Sequence, residues 1–344
     1  MASKQSRSEE RGTGRGLLVV ALVFVALAVG VLALAMTGRL RPLVEEAFPG
    51  LAGETAQTSG QQAQDQGENT ATTLEPKEFS AYSWDELAQV SAKIAAAGSD
   101  AEGLEIAREY NLADASGTPV NETREVVLDD NTLAYVRIVG FRHDQRSDGS
   151  GVAGMTLMLS MLSEQPMEAS NTNEGGWEAS SLRAWLAGDG MSLLPDDLAG
   201  HVASVVKSTN NVGITADTSS VTQTEDALWA FSAVEVCGPL TWFEDEFASE
   251  ISYTAGLDAV LNAEGTQYAY FSAAGVTGET GGAAGALALT YRGSARSWWY
   301  RSAYPLNFAD TSSSAYFFRA SEAGYPSSVG QADATSGVVV GFCL

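Results

Sequence analysis

The residue types that most enzymes use for catalysis are scarce in this chain of 344 residues. It has two histidines, His143 and His201, so a histidine-rich zinc centre is excluded. It contains neither a G-x-S-x-G nucleophile turn nor a G-x-x-x-x-G-K-S/T phosphate loop. His143 precedes Asp144, and the pair could orient proton transfer with a distant serine, but a cap on the loop after a strand is the simpler interpretation. The sequence therefore predicts no catalytic residue and no cofactor.

Oxygen-bearing side chains in the same loop could bind a hard cation. The segment HDQRSDGSG, residues 143–151, offers Asp144 and Asp148 among glycines, and Ca²⁺ accepts carboxylate and carbonyl oxygens from flexible loops. The spacing does not match an EF-hand, and Arg146 lies between the two acids. Asp144 and Asp148 are thus metal candidates, with an ordinary turn as the simpler alternative.

Aromatic and cationic side chains offer a second kind of chemistry, ligand binding. Flat aromatic faces stack on carbohydrate C–H groups, while arginines and carboxylates bind its hydroxyls. We expect this role for Trp177, Arg183, Trp299 and Arg301. Trp298 and Trp299 are adjacent on a predicted strand and must point to opposite sides, so at most one of them can line a given surface.

Both arginines have a structural alternative. Arg183 and Arg301 could be buried partners of Glu178 or Glu235, in ion pairs that fix a helix against a sheet. In that interpretation their guanidinium groups stabilise the fold and bind no ligand.

The chain has two cysteines, Cys237 and Cys343. A disulfide between them is permitted outside the cytoplasm, but two thiols in a long chain provide no spacing argument. Neither lies near a histidine or in a C-x-x-C pair, so a redox or nucleophilic role is not expected. The sequence leaves their pairing open.

The elements that must position these residues begin with a helical pair at residues 79–114. Ser83 followed by Glu86 is a capping-box signature, and apolar residues then recur at helical spacing until Gly98. Ser99 and Glu102 repeat the pattern. The apolar face of this pair needs a partner, and packing against the following domain is the favoured interpretation.

Residues 115–344 predict a single α+β domain in which antiparallel strands enclose short helices. The predicted helices are 180–186 and 196–207. The predicted strands include a hairpin and several later segments with apolar or β-branched patterning: 125–128, 134–139, 155–159, 227–231, 297–300, 316–319 and 338–342.

The N-terminal part predicts a membrane anchor. Residues 1–15 form a basic arm, and residues 16–36 are an uncharged run of mainly Leu, Val, Ala and Phe, long enough to cross a hydrocarbon core of roughly 30 Å. The basic arm favours a cytoplasmic N-terminus, so the rest is expected to lie outside the cell membrane. Cleavage after Ala35 is the alternative. Residues 37–78 predict a disordered linker.

The charge of the chain limits the kinds of molecule that it can bind. The formal net charge is −24, and such a surface repels phosphate backbones, which bind chiefly through Lys and Arg. We therefore expect no nucleic-acid partner. Solubility outside the cell is the simplest reason for the acidity.

A series of motifs resembles one bacterial family, the domain of unknown function 6273. The block GGWEASSLRAWL, residues 175–186, resembles its GGW-E-x-S-x-LR-x-WL pattern. Further blocks follow in the family's order and together span about 123–344: Leu194-Pro195, Val205 to Thr209, Asp226 to Gly238, Glu264 to Tyr268, Ser297 to Ser302 and Gly341-Phe342. Tyr300 stands where Leu is usual. The closing strands also resemble the C-type-lectin-like group, a fold-level analogy.

These observations favour a membrane-anchored, extracytoplasmic binding or adhesion module for an extracellular glycan or protein. The alternatives are an envelope enzyme acting on carbohydrate or peptidoglycan and a structural spacer. An enzyme of the first kind needs a carboxylate pair in a cleft, for which Glu235 and Glu264 are the named candidates.

Overall fold

The computed structural model describes residues 74–247, 250, 253–306 and 315–344. The predicted basic arm 1–15, the membrane span 16–36 and residues 37–73 of the predicted linker lie outside the described residues, so these stay predictions. Within the described part of the chain, no helix is long and apolar enough to cross a membrane.

The described strands form one large sheet and two small hairpins. The large sheet has seven strands in the order β1-β2-β3-β11-β8-β9-β10, and the hairpins pair β4 with β5 and β6 with β7. The strand pairings in the described part of the chain are antiparallel, except that β11 pairs with β8 in parallel. The bounds are β1 Arg124–Val127, β2 Leu133–Phe141, β3 Met155–Pro166, β4 Val205–Asn210, β5 Val221–Asp226, β6 Leu289–Tyr291, β7 Ser294–Arg296, β8 Trp298–Ala303, β9 Tyr316–Ala320, β10 Ser328–Gln331 and β11 Thr335–Cys343.

Short helices cover both faces of the sheet. Their bounds are α1 Trp84–Ala95, α2 Asp100–Glu109, α3 Ser181–Trp185, α4 Asp196–Ala199, α5 Ala233–Cys237, α6 Trp242–Phe247, α7 Thr254–Asn262 and α8 Ala269–Ala273. A π-helical turn at Leu186–Gly190 continues α3. Single 3-10 turns lie at Phe79–Ala81, Met191–Leu193, Thr218–Ser220 and Ala283–Gly285. The predicted α+β class is confirmed.

The predicted helical pair forms as its capping residues indicate. At α1, the Ser83 hydroxyl accepts from the Glu86 amide and the Glu86 carboxylate accepts from the Ser83 amide. At α2, Ser99 accepts from the Glu102 amide, but the Glu102 carboxylate accepts from Gly98 instead. The pair shares the core of the sheet: the Ser91 hydroxyl donates to the Leu344 carbonyl over 2.5 Å.

Two hydrophobic cores lie on opposite faces of the sheet. Because side chains alternate along a strand, Trp299 of β8 faces one core with Trp177 and Phe342. Its neighbour Trp298 faces the other core with Phe231. Both tryptophans are fully buried.

Two local predictions are corrected. The predicted helix 196–207 ends at Ala199, and residues from Val205 onward form strand β4 because they pair with β5 along its whole length. The predicted strand 227–231 reduces to one bridge, in which the Trp229 and Gly341 backbones exchange hydrogen bonds of 3.2 and 2.8 Å. A Cβ on Gly341 would lie 2.6 Å from the Trp229 ring, so glycine permits this contact.

Candidate functional site

Two expected ligand-binding residues, Trp177 and Arg183, meet at one buried carboxylate. The Trp177 indole donates to Asp226 Oδ2 over 3.1 Å, and Arg183 Nε donates to Oδ1 over 2.6 Å. Arg183 also donates to the carbonyls of Glu178 and Glu225. The ion pair of Arg183 is therefore with Asp226, whose side chain is 5% exposed, while Glu178 contributes only its carbonyl.

The second glycine of the GGWEASSLRAWL block is required for steric reasons. Gly176 has φ +55°, and a Cβ there would lie 2.0 Å from the Asn210 carbonyl oxygen. The glycine thus lets the loop before α3 approach the end of β4, which brings Trp177 to Asp226.

The other two expected residues, Trp299 and Arg301, are in the interior. Trp299 is 0% exposed, and its indole donates to the Gln165 carbonyl over 2.9 Å. Arg301 is 0% exposed and forms a two-pronged ion pair with Glu235, with Nη1 to Oε2 at 2.5 Å and Nη2 to Oε1 at 3.0 Å. This pair is the structural alternative considered for Arg301. A ligand could reach Trp177, Trp299 or Arg301 only by displacing core side chains.

Arg301 is one member of a buried charged cluster, which we define as Asp144, Lys207, Glu235, Glu264 and Arg301. Each of these residues is at most 3% exposed. The charges come from distant parts of the chain: the loop after β2, strand β4, helix α5, the turn after α7 and strand β8. Apart from Asp144, they belong to the blocks that resemble the family.

Arg301 uses all its N–H groups inside the protein. Besides Glu235, its Nε donates to Thr209 Oγ1 over 2.7 Å. Its terminal nitrogens donate to backbone carbonyls of Ala230, Ser208 and Glu264 over 3.0 to 3.1 Å. A buried guanidinium needs this number of acceptors because each unpaired donor carries a desolvation cost.

Lys207 joins two acids of the cluster. Its ammonium nitrogen lies 2.6 Å from Asp144 Oδ1, 2.5 Å from Glu235 Oε1 and 3.1 Å from the Tyr268 hydroxyl. Burial would lower the pKa of Lys207, but Asp144 and Glu235 hold it above the usual value. Lys207 therefore stays charged, and its three donors are occupied.

The acids of the cluster differ in their pKa. Burial acts to raise the pKa of Glu235, but Arg301 and Lys207 hold it below the usual range. Burial also acts to raise the pKa of Asp144, but Lys207 and His143 lower it below the usual range. For Glu264, burial prevails over Arg301 and raises the pKa from 4.5 to about 7. Glu264 accepts from the Asn210 amide over 3.0 Å and from the Ser302 hydroxyl.

A polar cavity of about 480 Å³ opens beside the charged cluster. Its lining includes His143, Asp144, Lys207, Gln223, Glu235, Glu264 and Thr266. His143 contacts Thr266 through Nε2 at 3.1 Å, and its Nδ1 lies 3.5 Å from Asp144. The hydroxyl at His143 Nε2 is that of Thr266, at 3.1 Å, and neither contact brings a serine whose proton His143 could take, so the predicted pairing of His143 and Asp144 with a serine gains no support.

The metal candidates have protein partners. Asp144 accepts from Lys207, Tyr268 and Thr156, so a cation would compete with an ammonium already in place. Asp148 caps a turn at Ser150, with Arg146 at 3.3 Å. Among the residues described, no group of three or more His, Cys, Asp or Glu side chains could hold a metal ion.

The cysteines are both free and buried. Cys237 lies in the core around Trp298, and Cys343 lies in the core around Trp299. Because the sheet separates these cores, the two thiols do not pair. Burial raises the pKa of the Cys237 thiol to about 12, which opposes a nucleophilic role.

A second cavity, which we call the aromatic cleft, differs in chemistry and has a volume of about 640 Å³. It lies between α6 and strands β9 and β10. The lining residues are Trp242, Phe243, Asp245, Glu246, Gly278, Glu279, Tyr304, Tyr316, Phe318, Tyr325, Ser327 and Val329.

The rings of the aromatic cleft form a continuous wall. Trp242 packs on Phe318 with a centroid separation of 4.8 Å, and Phe318 contacts Tyr304 at 5.2 Å. Tyr304 contacts Phe243 at 5.2 Å and Tyr316 at 6.3 Å. These separations are typical of favourable aromatic pairs, so the wall is held in shape by its own contacts.

Helix α6 is fixed by side chains of α7. Asp258 is 4% exposed, and its carboxylate accepts from the backbone amides of Phe243 over 3.1 Å and Glu244 over 2.8 Å. Asn262 exchanges two hydrogen bonds of 2.8 Å with the Leu240 backbone. Because four amides at a helix start lack intrahelical partners, Asp258 stabilises the start of this short helix.

The tryptophan of α6 is oriented by a glycine turn. The Trp242 indole donates to the Gly278 carbonyl over 2.8 Å. A Cβ on Gly278 would lie 2.8 Å from that indole nitrogen, so a larger residue would displace the ring.

Carboxylates stand at the rim of the aromatic cleft. Asp245, Glu246 and Glu279 are exposed. Asp245 accepts from Thr241 over 2.6 Å, while Glu246 and Glu279 have no hydrogen-bond or ion-pair partner for their carboxylates in the part of the chain that the structure describes. The aromatic cleft thus combines apolar faces with available hydrogen-bond acceptors.

Sequence reasoning did not identify the aromatic cleft. The run Glu244-Asp245-Glu246 was noticeable as a cluster of acids, and the pair Trp242-Phe243 directly precedes it. An exposed acidic run next to a tryptophan was the available signal. The partner rings on β9 and β10 could not be assigned to it without the strand order.

The family resemblance is established by comparison. The sequence profile described as Domain of unknown function (DUF6273) matches residues 153–344. This match covers more than half of the chain, and the chain belongs to that family. No significant match was found among curated proteins or solved structures, so the C-type-lectin-like analogy stays a prediction.

Proposed function

We propose that the chain is a membrane-anchored, extracytoplasmic binding module that holds its ligand in the aromatic cleft. The observation that carries this proposal is the cleft itself: a wall of packed rings with exposed carboxylates at its rim. Binding sites in proteins are commonly concave, mostly apolar and equipped with a few polar groups that fix orientation. The aromatic cleft has these properties.

The charged cluster supports the same proposal by contrast. Its donors and its acids are engaged by protein atoms, and its residues are at most 3% exposed. A ligand at this position would have to replace existing hydrogen bonds. We therefore assign the charged cluster to stability and the aromatic cleft to binding.

The enzyme alternative rests on one specific observation. Glu235 and Glu264 both line the polar cavity, and the pKa of Glu264 is raised to about 7 while that of Glu235 is lowered. Pairs of carboxyl groups with separated pKa values are typical of acid and base roles. However, Glu235 is bound by Arg301, Lys207 and the Ser232 amide, which leaves no oxygen available to act as a base.

The binding experiment uses the full-length chain in a polyoxyethylene detergent, which carries neither a sugar nor a charge. Glycan arrays and pull-downs with extracellular proteins are run beside hydrolase assays on cell-wall glycans. We expect binding that is lost in Trp242→Ala and kept in Glu264→Gln. If the chain hydrolyses a glycan and Glu264→Gln abolishes that turnover, the protein is an enzyme and the binding function is rejected. If Trp242→Ala binds the ligand as well as the original chain does, the aromatic cleft is rejected as the binding site.

The anchor is tested separately. Protease added to intact cells should remove residues of the domain and leave the N-terminal arm protected, because residues 16–36 are long enough to span a bilayer. Full-length protein in the cytosolic fraction would reject the anchor. A soluble form beginning at Met36 would instead favour cleavage after Ala35.

A further inference from the structure

The lining of the aromatic cleft has one sign of charge. Its ionisable residues are the acids Asp245, Glu246 and Glu279 together with tyrosines, and no Lys, Arg or His is among the described lining residues. The whole chain carries a net charge of −24. The field in a cleft with walls of low polarity concentrates ions of the opposite charge, so the aromatic cleft attracts cations.

We propose that the aromatic cleft binds a methylated ammonium group, carried by a small molecule or by a substituent of a larger ligand. This inference rests on the proposed binding function and adds the chemical class of the ligand. A quaternary ammonium has an apolar surface and a delocalised positive charge, and rings of Trp and Tyr bind it through the negative potential of their faces.

The position of the acids distinguishes this cation from a primary amine. The interior wall consists mainly of rings, whereas the carboxylates stand at the exposed rim. A primary ammonium keeps three N–H donors that need acceptors when water is removed. The Gly278 carbonyl in the wall already accepts from Trp242. A methylated ammonium has few or no such donors, so it can lie against the rings while the rim acids attract its charge at longer range.

The wall tyrosine Tyr304 keeps its hydroxyl protonated. Burial, with a contribution from Glu246, raises the pKa of the Tyr304 hydroxyl well above its usual value. Glu246 and Tyr304 also line the same cavity, so a ligand bound there can lie near both the ring and the carboxylate.

Calorimetric titration of the full-length chain in the same detergent tests the inference with three probes of similar size. The probes are choline, its neutral carbon analogue 3,3-dimethylbutanol, and the primary amine ethanolamine. We expect choline to bind roughly ten-fold more tightly than either of the others. Equal affinity for choline and the neutral analogue would overturn the inference, and tighter binding of ethanolamine would overturn the preference for methylation.

Variants separate this inference from the proposed function. Trp242→Phe keeps a ring with a weaker face, and Glu246→Gln with Glu279→Gln removes rim charge. Each should weaken choline binding by roughly three- to ten-fold, while Glu225→Gln, on the exposed face of β5, should leave it unchanged. An extracellular ligand that needs Trp242 but is insensitive to choline competition and to the rim variants would overturn the ammonium assignment and retain the binding function. If the original chain binds neither choline nor any extracellular ligand, both the ammonium inference and the proposed binding function are overturned.

Discussion

The charged cluster and the aromatic cleft both contain carboxylates beside a cavity, but they use them differently. In the charged cluster, Glu235 is held by Arg301 and Lys207 at 2.5 to 3.0 Å and is 1% exposed. In the aromatic cleft, Glu246 is exposed and has no such partner among the described residues. The same side-chain type therefore stabilises the fold in one place and stays available in the other.

The two regions also differ in their relation to the blocks that resemble the family. The blocks that carry the family resemblance supply Lys207, Glu235, Glu264 and Arg301 to the charged cluster, and they supply Trp177 and Asp226 to a second buried contact. These side chains join helices and strands that are distant in sequence. The aromatic cleft is built largely from residues outside those blocks, such as Trp242 and Tyr325. In this chain, the blocks that carry the family resemblance therefore build the buried framework, and the aromatic cleft lies outside them.

The largest expected effect comes from a matched pair of glutamates. Glu235→Gln leaves Arg301 and Lys207 without a full counter-charge in the interior, so it should lower the free energy of unfolding by about 3–5 kcal/mol. Glu246→Gln should leave it unchanged, because the side chain is exposed. Urea unfolding of residues 71–344, which form one compact unit, measures both. Equal stability of the two variants would remove the distinction between the two regions.

A pair of tryptophans makes the same comparison for packing. Trp299→Ala removes a fully buried ring and should cost about 3–5 kcal/mol. Trp242→Ala removes a partly exposed ring whose neighbours already border a cavity, so its cost should be clearly smaller. Thermal unfolding of the same fragment provides the measurement. A Trp299 variant as stable as the original would contradict its burial.

Local features of the fold could be predicted because their causes lie within a few residues. The Ser83 and Glu86 box starts α1, and the alternation at Trp298 and Trp299 places these rings on opposite faces. The strand β4 was missed because its partner β5 begins at Val221, beyond the reach of a local pattern. Pairing between strands overrode the local helical pattern there.

The sites were harder to predict for the same reason. The pair of Glu235 and Arg301 was one of several allowed combinations, and nothing in the sequence indicated that Asp144 and Lys207 would join it. The aromatic cleft depends on strand order: Phe318 of β9 reaches Trp242 only because β9 lies between β8 and β10. That order is a property of the whole sheet.

An intermediate effect is expected in the pH dependence of stability. The pKa of Glu264 is raised from 4.5 to about 7 in the folded protein, so the folded state binds more protons than the unfolded state between these values. Its contribution to stability is full below pH 4.5 and is lost as the pH rises through 7, with a slope of at most about 1.4 kcal/mol per pH unit.

Glu264→Gln is the matched test of this slope. Glu235 and Asp144 have lowered pKa values, so their contributions are lost only as the pH falls below the usual carboxyl range. The difference in unfolding free energy between the original chain and Glu264→Gln should therefore change between pH 4.5 and 7 and level off above it. A difference that is constant over this window would show that Glu264 titrates normally.

The smallest effect on stability and the sharpest contrast with the charged cluster are expected at Tyr325. Its ring is 55% exposed and lines the aromatic cleft, so Tyr325→Ala removes little buried area and should leave the unfolding midpoint unchanged. The same change removes a ring face from the proposed site and should weaken ligand binding by roughly five-fold. Tyr135→Ala is the control, because Tyr135 is 41% exposed on β2 and does not line that cleft. If both variants bind as the original chain does, the exposed ring of the aromatic cleft takes no part in recognition. If Tyr325→Ala instead unfolds at a lower denaturant concentration, the role of Tyr325 is structural, and the residue belongs to the framework rather than to the proposed site.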